Sequence, residues 1–215
     1  YEIGSGLVGS EMCIRDSLQQ QVNPHFLYNT LDNICALAEL DEKETLIQLV
    51  MNLSSFYRSS LSNGKMHISI GQELEISRAY LEILQIRYFH KFDFTITCPE
   101  ALKNYSCIKL LLQPILENSI YHGIKGLDRH GILHIEAEDT GDCIRFTISD
   151  NGRGFSKEDY EKIWQQDADH FGIKSIQQRI LLYYGPGYGL SMESPQTGGC
   201  ITVITLPKQE GLPCH

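Results

Sequence analysis

Four short stretches carry residues whose types and spacing can do chemistry. In "LQPILENSIYHGI", Glu117 and Asn118 are adjacent polar residues in an otherwise apolar run. Asn118 and His122 are four apart, so on a helix they share a face. An asparagine carbonyl is a hard oxygen ligand, suited to a magnesium ion that also touches substrate phosphates. A neighbouring carboxylate can act as a general base or orient one. A solvated helix edge would read the same way. In "DNGRGF", residues 150–155, a strand that delivers Asp150 to its end leaves a carboxylate able to accept from an exocyclic amine such as that of adenine. Gly152 and Gly154 permit close approaches that a Cβ would forbid. Alone, Asp-Asn-Gly is also an ordinary turn signal. In "DADHFGIKSI", residues 167–176, Gly172 opens a helix whose free amides attract phosphate, and Lys174 adds charge. In "VNPHFLYNT", residues 22–30, Pro24 stands directly before His25 in a stretch that is otherwise helical. Either Asn23 caps and Pro24 starts a fresh helix, or a continuous helix kinks at Pro24. Asn29 follows His25 by four and shares its face.

These residues need elements to hold them. From Leu18, apolar residues recur at Val22, Phe26 or Leu27, Leu31, Ile34 and Ala38, the stripe of an amphipathic helix. The polar "LDEKE" at 40–44 breaks it, a second helix is expected over 45–61, and "SNGK" at 62–65 ends that one. A lone hairpin of this size cannot bury both apolar faces, so a second copy is the expected cover, giving a four-helix dimer. A third helix is expected over 72–88, then a strand at 92–98 and one buried helix over 108–124. Strands follow at 131–139 and 143–150 around a turn at 140–142. A short helix starts at Ser156 with Asp159 in a capping box, another spans 173–184, and a hairpin of 187–194 and 199–207 closes the chain. Residues 1–17 have no clear period and read as a non-native or disordered leader. The expected division is 18–65 as the dimerisation and phosphotransfer helices, 66–210 as an ATPase/kinase domain, and 211–215 as a tail. The class is α+β, with one mixed sheet and helices on one face.

Composition narrows the function. The 215 residues carry a net charge of -9, a poor match to nucleic acid or to an anionic membrane surface. A phosphate compound bound here must rest on metal, backbone amides and a few local donors. The seven cysteines are scattered and never spaced Cys-x-x-Cys, which suggests neither a disulfide framework nor a zinc site. No apolar run is long enough to span a bilayer as a helix.

The order of the motifs changes their weight. A helix with Glu-Asn, a strand ending in Asp-x-Gly-x-Gly and a glycine at a helix start resemble the N, G1 and G2 boxes of the GHKL ATPase superfamily. With "LQQQVNPHFLYNTLDNI" in front and "YLEILQIRY" at 80–88, the chain resembles the LytS/YesM-like sensor histidine kinases over about residues 18 to 207. The resemblance implies a helical-hairpin dimerisation and phosphoacceptor region followed by a GHKL (Bergerat) ATP-binding α/β sandwich. It implies that His25 accepts the γ-phosphoryl group of ATP, that Asn118 coordinates Mg2+, and that Glu117 is the base or orienting carboxylate. Asp150 would bind the adenine amine, with Gly152 and Gly154 shaping that pocket and His122, Gly172 and Lys174 completing the nucleotide site. Residues 156–171 would be the ATP lid. The partners implied are a second copy through 18–65 and a response-regulator receiver domain. The place implied is the cytoplasmic portion of a bacterial inner-membrane sensor, with the membrane reached only through segments upstream of this chain. Asn29 is the candidate for orienting a water or the regulator during dephosphorylation.

One departure stands out. The G2 box of the family reads Gly-x-Gly-(Leu/Ile)-x-Asn, whereas "HFGIKS" puts His170 in place of the first glycine and Ser175 in place of the asparagine. That leaves a second reading open, a catalytically weakened GHKL nucleotide-binding adaptor that dimerises. Chaperone or topoisomerase relatives lack an upstream helix with a histidine such as His25.

Overall fold

The computed structural model describes residues 24–61, 66–164 and 171–210. The expected leader, the first turns of the first helix with Asn23, the "SNGK" stop, His170 and the tail lie outside the described residues. The chain divides in sequence into two compact units, Tyr1–Val50 and Met51–His215.

Helix α1 (Pro24–Glu39) is where the described residues begin. It ends where Asp41 turns left-handed at φ 58°. The Glu42 N–H then reaches the Leu37 carbonyl, and the Asp41 N–H that of Ala38, the pairing of a Schellman cap. Thr30 is buried, and its hydroxyl donates to the Phe26 carbonyl at 2.7 Å. Helix α2 (Lys43–Ser60) starts two residues before the expected Thr45.

The larger unit is built on a sheet. Strand β1 (His67–Ser69) leads into α3 (Ile70–Arg87), fixed by a capping box in which Ser69 and Gln72 bond each other's backbone N–H. Then come β2 (Phe92–Thr97), a 3-10 turn, β3 (Ser106–Ile108), α4 (Gln113–Asn118) and a wider π-helical turn, Ser119–Ile124. Strands β4 (Gly131–Asp139) and β5 (Cys143–Asp150), helices α5 (Lys157–Trp164) and α6 (Phe171–Tyr184), and strands β6 (Gly189–Glu193) and β7 (Cys200–Pro207) complete it. The main sheet runs β2-β4-β5-β7-β6, with β2 parallel to β4 and every other pair antiparallel. Burial alternates along β4, β5 and β7, so one face carries the core, including Leu133, Ile135, Phe146, Ile148 and Ile204. This is the expected α+β class with a mixed sheet. Strands β1 and β3 add a two-stranded ribbon that periodicity does not announce.

The expected single helix over 108–124 is corrected. Ile108 ends a strand, Leu110 is left-handed at φ 54°, and α4 begins only at Gln113. Two causes are visible. Pro114 lacks an N–H and fits only a helix start. The buried Glu73 carboxylate also takes the Leu110 and Leu112 N–H groups at 2.8 and 2.9 Å, bonds a helix would have given to carbonyls. Arg179 grips the same loop from α6, donating to the Lys109 and Leu110 carbonyls.

Candidate functional site

A cleft opens where α4, the π-helical turn, the end of β5 and α5 come together. Among the expected site residues, Asn118, His122, Asp150 and Gly154 line it. The π-helical turn is marked by the Lys125 N–H reaching back five residues to the Ile120 carbonyl. It presents Asn118, Ser119, His122 and Gly123 to the cleft together.

Asp150 is the most constrained group. Its Oδ1 accepts the Gly152 N–H at 2.8 Å. Its Oδ2 is enclosed and makes no hydrogen bond among the described residues, although the Ser119 hydroxyl and Cys200 amide lie near it. Burial pushes its pKa up, and those donors pull it partly back. A buried acceptor without a donor is costly unless something arrives to fill it. An exocyclic amine has the right chemistry.

Gly152 does not line the cleft but backs the aspartate. A Cβ there would fall 2.6 Å from Asp150 Oδ1 and 2.7 Å from the Gly123 Cα. Gly154 has φ 72°, and a Cβ would run into the Ser194 hydroxyl. Gly152 thus lets the chain pass close against Asp150 and Gly123, and Gly154 lets it pass close against Ser194 and Gly199.

Glu117 is not among the lining residues. It is half-buried on α4, accepts from Gln113 Nε2 at 3.0 Å, and has the Tyr80 hydroxyl beside it. Burial raises its pKa, and those two hydrogen bonds oppose the rise. Gly172 sits in the first turn of α6, where a Cβ would lie 3.1 Å from Pro114, so it lets α6 pack against the start of α4. Lys174 is two residues further, half-buried, and outside the cleft lining. On α1, His25 is exposed, and Asn29 lies one turn on, with a buried Nδ2 that has no hydrogen-bond partner among the described residues.

The cleft also uses residues that motif reading missed. Phe155, Asp159 and Ile163 are spaced by four, so α5 and Phe155, two residues ahead of it, line the opening. That spacing was available in the sequence. Ser156 caps α5 as expected, its hydroxyl accepting the Asp159 N–H at 3.1 Å. Arg153 and Cys200 also line the cleft. Burial drives the Cys200 thiol up to about 11, so it is a neutral wall at physiological pH.

Among the described residues no cluster of three acidic, histidine or cysteine ligands could hold a metal ion. A magnesium ion here would rest on the Asn118 carbonyl, phosphate oxygens and water, a donor set that suits it. Among them, too, no helix is long and apolar enough to cross a membrane.

A family profile described as "Histidine kinase" matches residues 15–92, and one described as "Histidine kinase-, DNA gyrase B-, and HSP90-like ATPase" matches residues 105–210. The chain is 33% identical over 191 residues to sensor histidine kinase YesM of Bacillus subtilis, covering 89% of this chain and 33% of that protein. It is 28% identical over 189 residues to the sensor histidine kinase/phosphatase LytS of Staphylococcus aureus, covering 85% and 32%. The chain thus spans about a third of the length of these curated relatives. In fold it is similar to histidine kinase ThkA, solved in complex with response regulator protein TrrA. That match has TM-score 0.52 and 14% identity over 97% of this chain and 68% of that one.

Proposed function

Because the chain belongs to the histidine kinase family, in its LytS/YesM-like branch, we propose that it autophosphorylates His25 from Mg-ATP and passes the phosphoryl group to a response-regulator aspartate. One observation carries the nucleotide half of this reading. Asp150, a buried carboxylate whose Oδ2 has no hydrogen-bond partner among the described residues, lines a cleft together with Asn118, His122, Gly123 and Gly154. Adenine would set its amine on Asp150, and its phosphates would extend toward Asn118. Magnesium, when bound, would supply charge neutralisation at those phosphates. A neutral imidazole nitrogen of His25 would attack the γ-phosphorus. The bond from that phosphorus to the β–γ bridging oxygen would break, ADP would leave, and the imidazole proton would pass to a base. Glu117, whose raised pKa favours proton uptake, is the candidate base or orienting carboxylate.

The remaining parts follow the same logic. Asn29 would orient a water or the regulator for dephosphorylation. The dimer would form through residues 18–65, where Tyr28, Leu31, Ile47, Val50 and Met51 are exposed apolar side chains. The receiver domain of the regulator is the expected protein partner. Upstream segments would tether the protein to a bacterial inner membrane, leaving these residues in the cytoplasm.

The test is incubation with γ-labelled ATP and magnesium. Wild type should take up acid-labile label, and His25→Gln and Asn118→Ala should not. Label that persists in His25→Gln would refute phosphorylation at that residue. Folded wild type that takes up none favours the adaptor reading, whose sequence basis is His170 and Ser175.

A further inference from the structure

Residues 108–112, just ahead of the helix that ends on Asn118, owe much of their backbone bonding to distant side chains. The Tyr184 hydroxyl accepts the Ile108 N–H at 2.9 Å, and the Glu73 carboxylate accepts those of Leu110 and Leu112. Arg179 donates to the Lys109 and Leu110 carbonyls. The Lys109 N–H goes to the Met66 carbonyl at 2.9 Å. Helix α3 thus supplies one hold on this segment, through Glu73, and α6 supplies two, through Arg179 and Tyr184. At the start of α6, Gly172 packs so closely on Pro114 that a Cβ would lie 3.1 Å from it.

Stability alone is a poor reason for this arrangement. Glu73 is fully buried, and the Arg179 Nε is enclosed with no hydrogen-bond partner among the described residues. Taking opposite charges out of water costs about what their attraction returns, so well-packed apolar residues would serve stability as well. Leu110 is also left-handed at φ 54°, a conformation that costs any residue with a Cβ and persists only where the surroundings impose it. What the clamp does fix is the start of α4. That helix has six residues, Gln113–Asn118, so Asn118 stands only about 9 Å beyond the clamp at the usual helical rise. A helix this short carries a displacement of its start to its end. The base half of the cleft is anchored separately, because Asp150 sits on β5, opposite Cys200 of β7.

We propose that Glu73 and Arg179 are positioning residues for the magnesium-bound triphosphate: by clamping 109–112 they fix where α4 begins and so where Asn118 presents its side-chain carbonyl. The assignment rests on the nucleotide reading of the cleft and deepens it. Neither side chain lines the cleft, so both act through Asn118. The nucleobase, held on Asp150, does not depend on them. If the clamp were scaffold only, its loss would weaken every ligand of the cleft alike.

The test is calorimetric binding of adenosine, and of ATP over a series of magnesium concentrations, to wild type, Glu73→Gln and Arg179→Lys. Glutamine keeps the shape of Glu73 but sets an N–H against one of the backbone N–H groups, and lysine replaces the guanidinium fork with a single ammonium. In both variants ATP affinity should fall about tenfold or more, the scale on which supports behind a metal ligand act, and half-saturating magnesium should rise. Adenosine affinity should stay within about twofold. In an Asn118→Ala background, Glu73→Gln should cost ATP nothing further, because the residue it positions is gone. Tyr184→Phe removes only the acceptor of the Ile108 N–H and should give a smaller, still ATP-selective loss; it stands in if the buried-charge variants fail to fold. Folded variants that weaken adenosine as much as ATP, that leave ATP and magnesium dependence unchanged, or that add their full loss to Asn118→Ala would overturn the assignment. Wild type that binds ATP without regard to magnesium overturns it while leaving the base site intact. Wild type that binds neither ligand overturns the nucleotide reading and this assignment with it.

Discussion

Along β4, β5 and β7 every second side chain is buried, and Leu133, Phe146 and Ile204 are fully enclosed. Along α1 the buried positions are Phe26 and Thr30, while Tyr28 remains 67% exposed and Leu31 43%. On α2, Met51 is 62% exposed. The sheet unit completes its own core, and the backbone around Asp150 is pinned by that core. The helices around His25 leave apolar surface for something outside the chain to cover. A site that must recognise a rigid base benefits from the first arrangement. The role proposed for His25, to meet a nucleotide domain and then a regulator, would benefit from the second, where the histidine is exposed.

The sharpest way to break this contrast is Asp150→Ala. It should weaken ATP, ADP and adenosine alike by about tenfold to a hundredfold, the scale of a buried hydrogen bond to a charged acceptor, as read by calorimetry. The helical hairpin should keep its oligomeric state. Next, Ile47→Glu with Met51→Glu should convert a dimer to a monomer in light scattering, while adenosine affinity stays within about twofold. A monomeric wild type would remove the reason given for the exposed stripe. Gly152→Ala should cost about 1–3 kcal/mol, because its methyl must displace Gly123 or the Asp150 carboxylate. Its melting midpoint should drop with base affinity, and an unchanged midpoint would show that close approach to be slack.

The smallest effect is expected at Glu117. Burial raises its pKa on folding, so the folded chain holds its proton more tightly than the unfolded chain does. Stability therefore falls as pH rises from the ordinary glutamate range through the raised folded value. Glu117→Gln should flatten part of that decline in denaturant titrations taken at several pH values, leaving the contributions of Asp150 and Glu73, which share the direction. A steeper decline would contradict the assignment of burial as the dominant cause.

Local chemistry made much of the site legible. Asp150 with its glycines, the four-residue step from Asn118 to His122, and the Ser156–Asp159 cap each depend on neighbours in sequence. What stayed hidden depends on distant ones. Cys200 lines the cleft because β5 and β7 pair with Asp150 opposite Cys200, a register no hairpin signal encodes. The break at 109–112 depends on Glu73, some 37 residues upstream, whose carboxylate outcompetes the helix for the Leu110 N–H. Periodicity finds a helix and its apolar face. It does not say which flank of another helix will lie beside it.

The most direct measurement is the position of the phosphoryl group itself. Incubation with Mg-ATP, an alkaline quench that preserves phosphohistidine, and peptide mapping by mass spectrometry should place one phosphoryl group on His25, and none when Asp150 is replaced by alanine. A phosphoryl group on another residue, or one on His25 that persists in Asp150→Ala, would contradict the account.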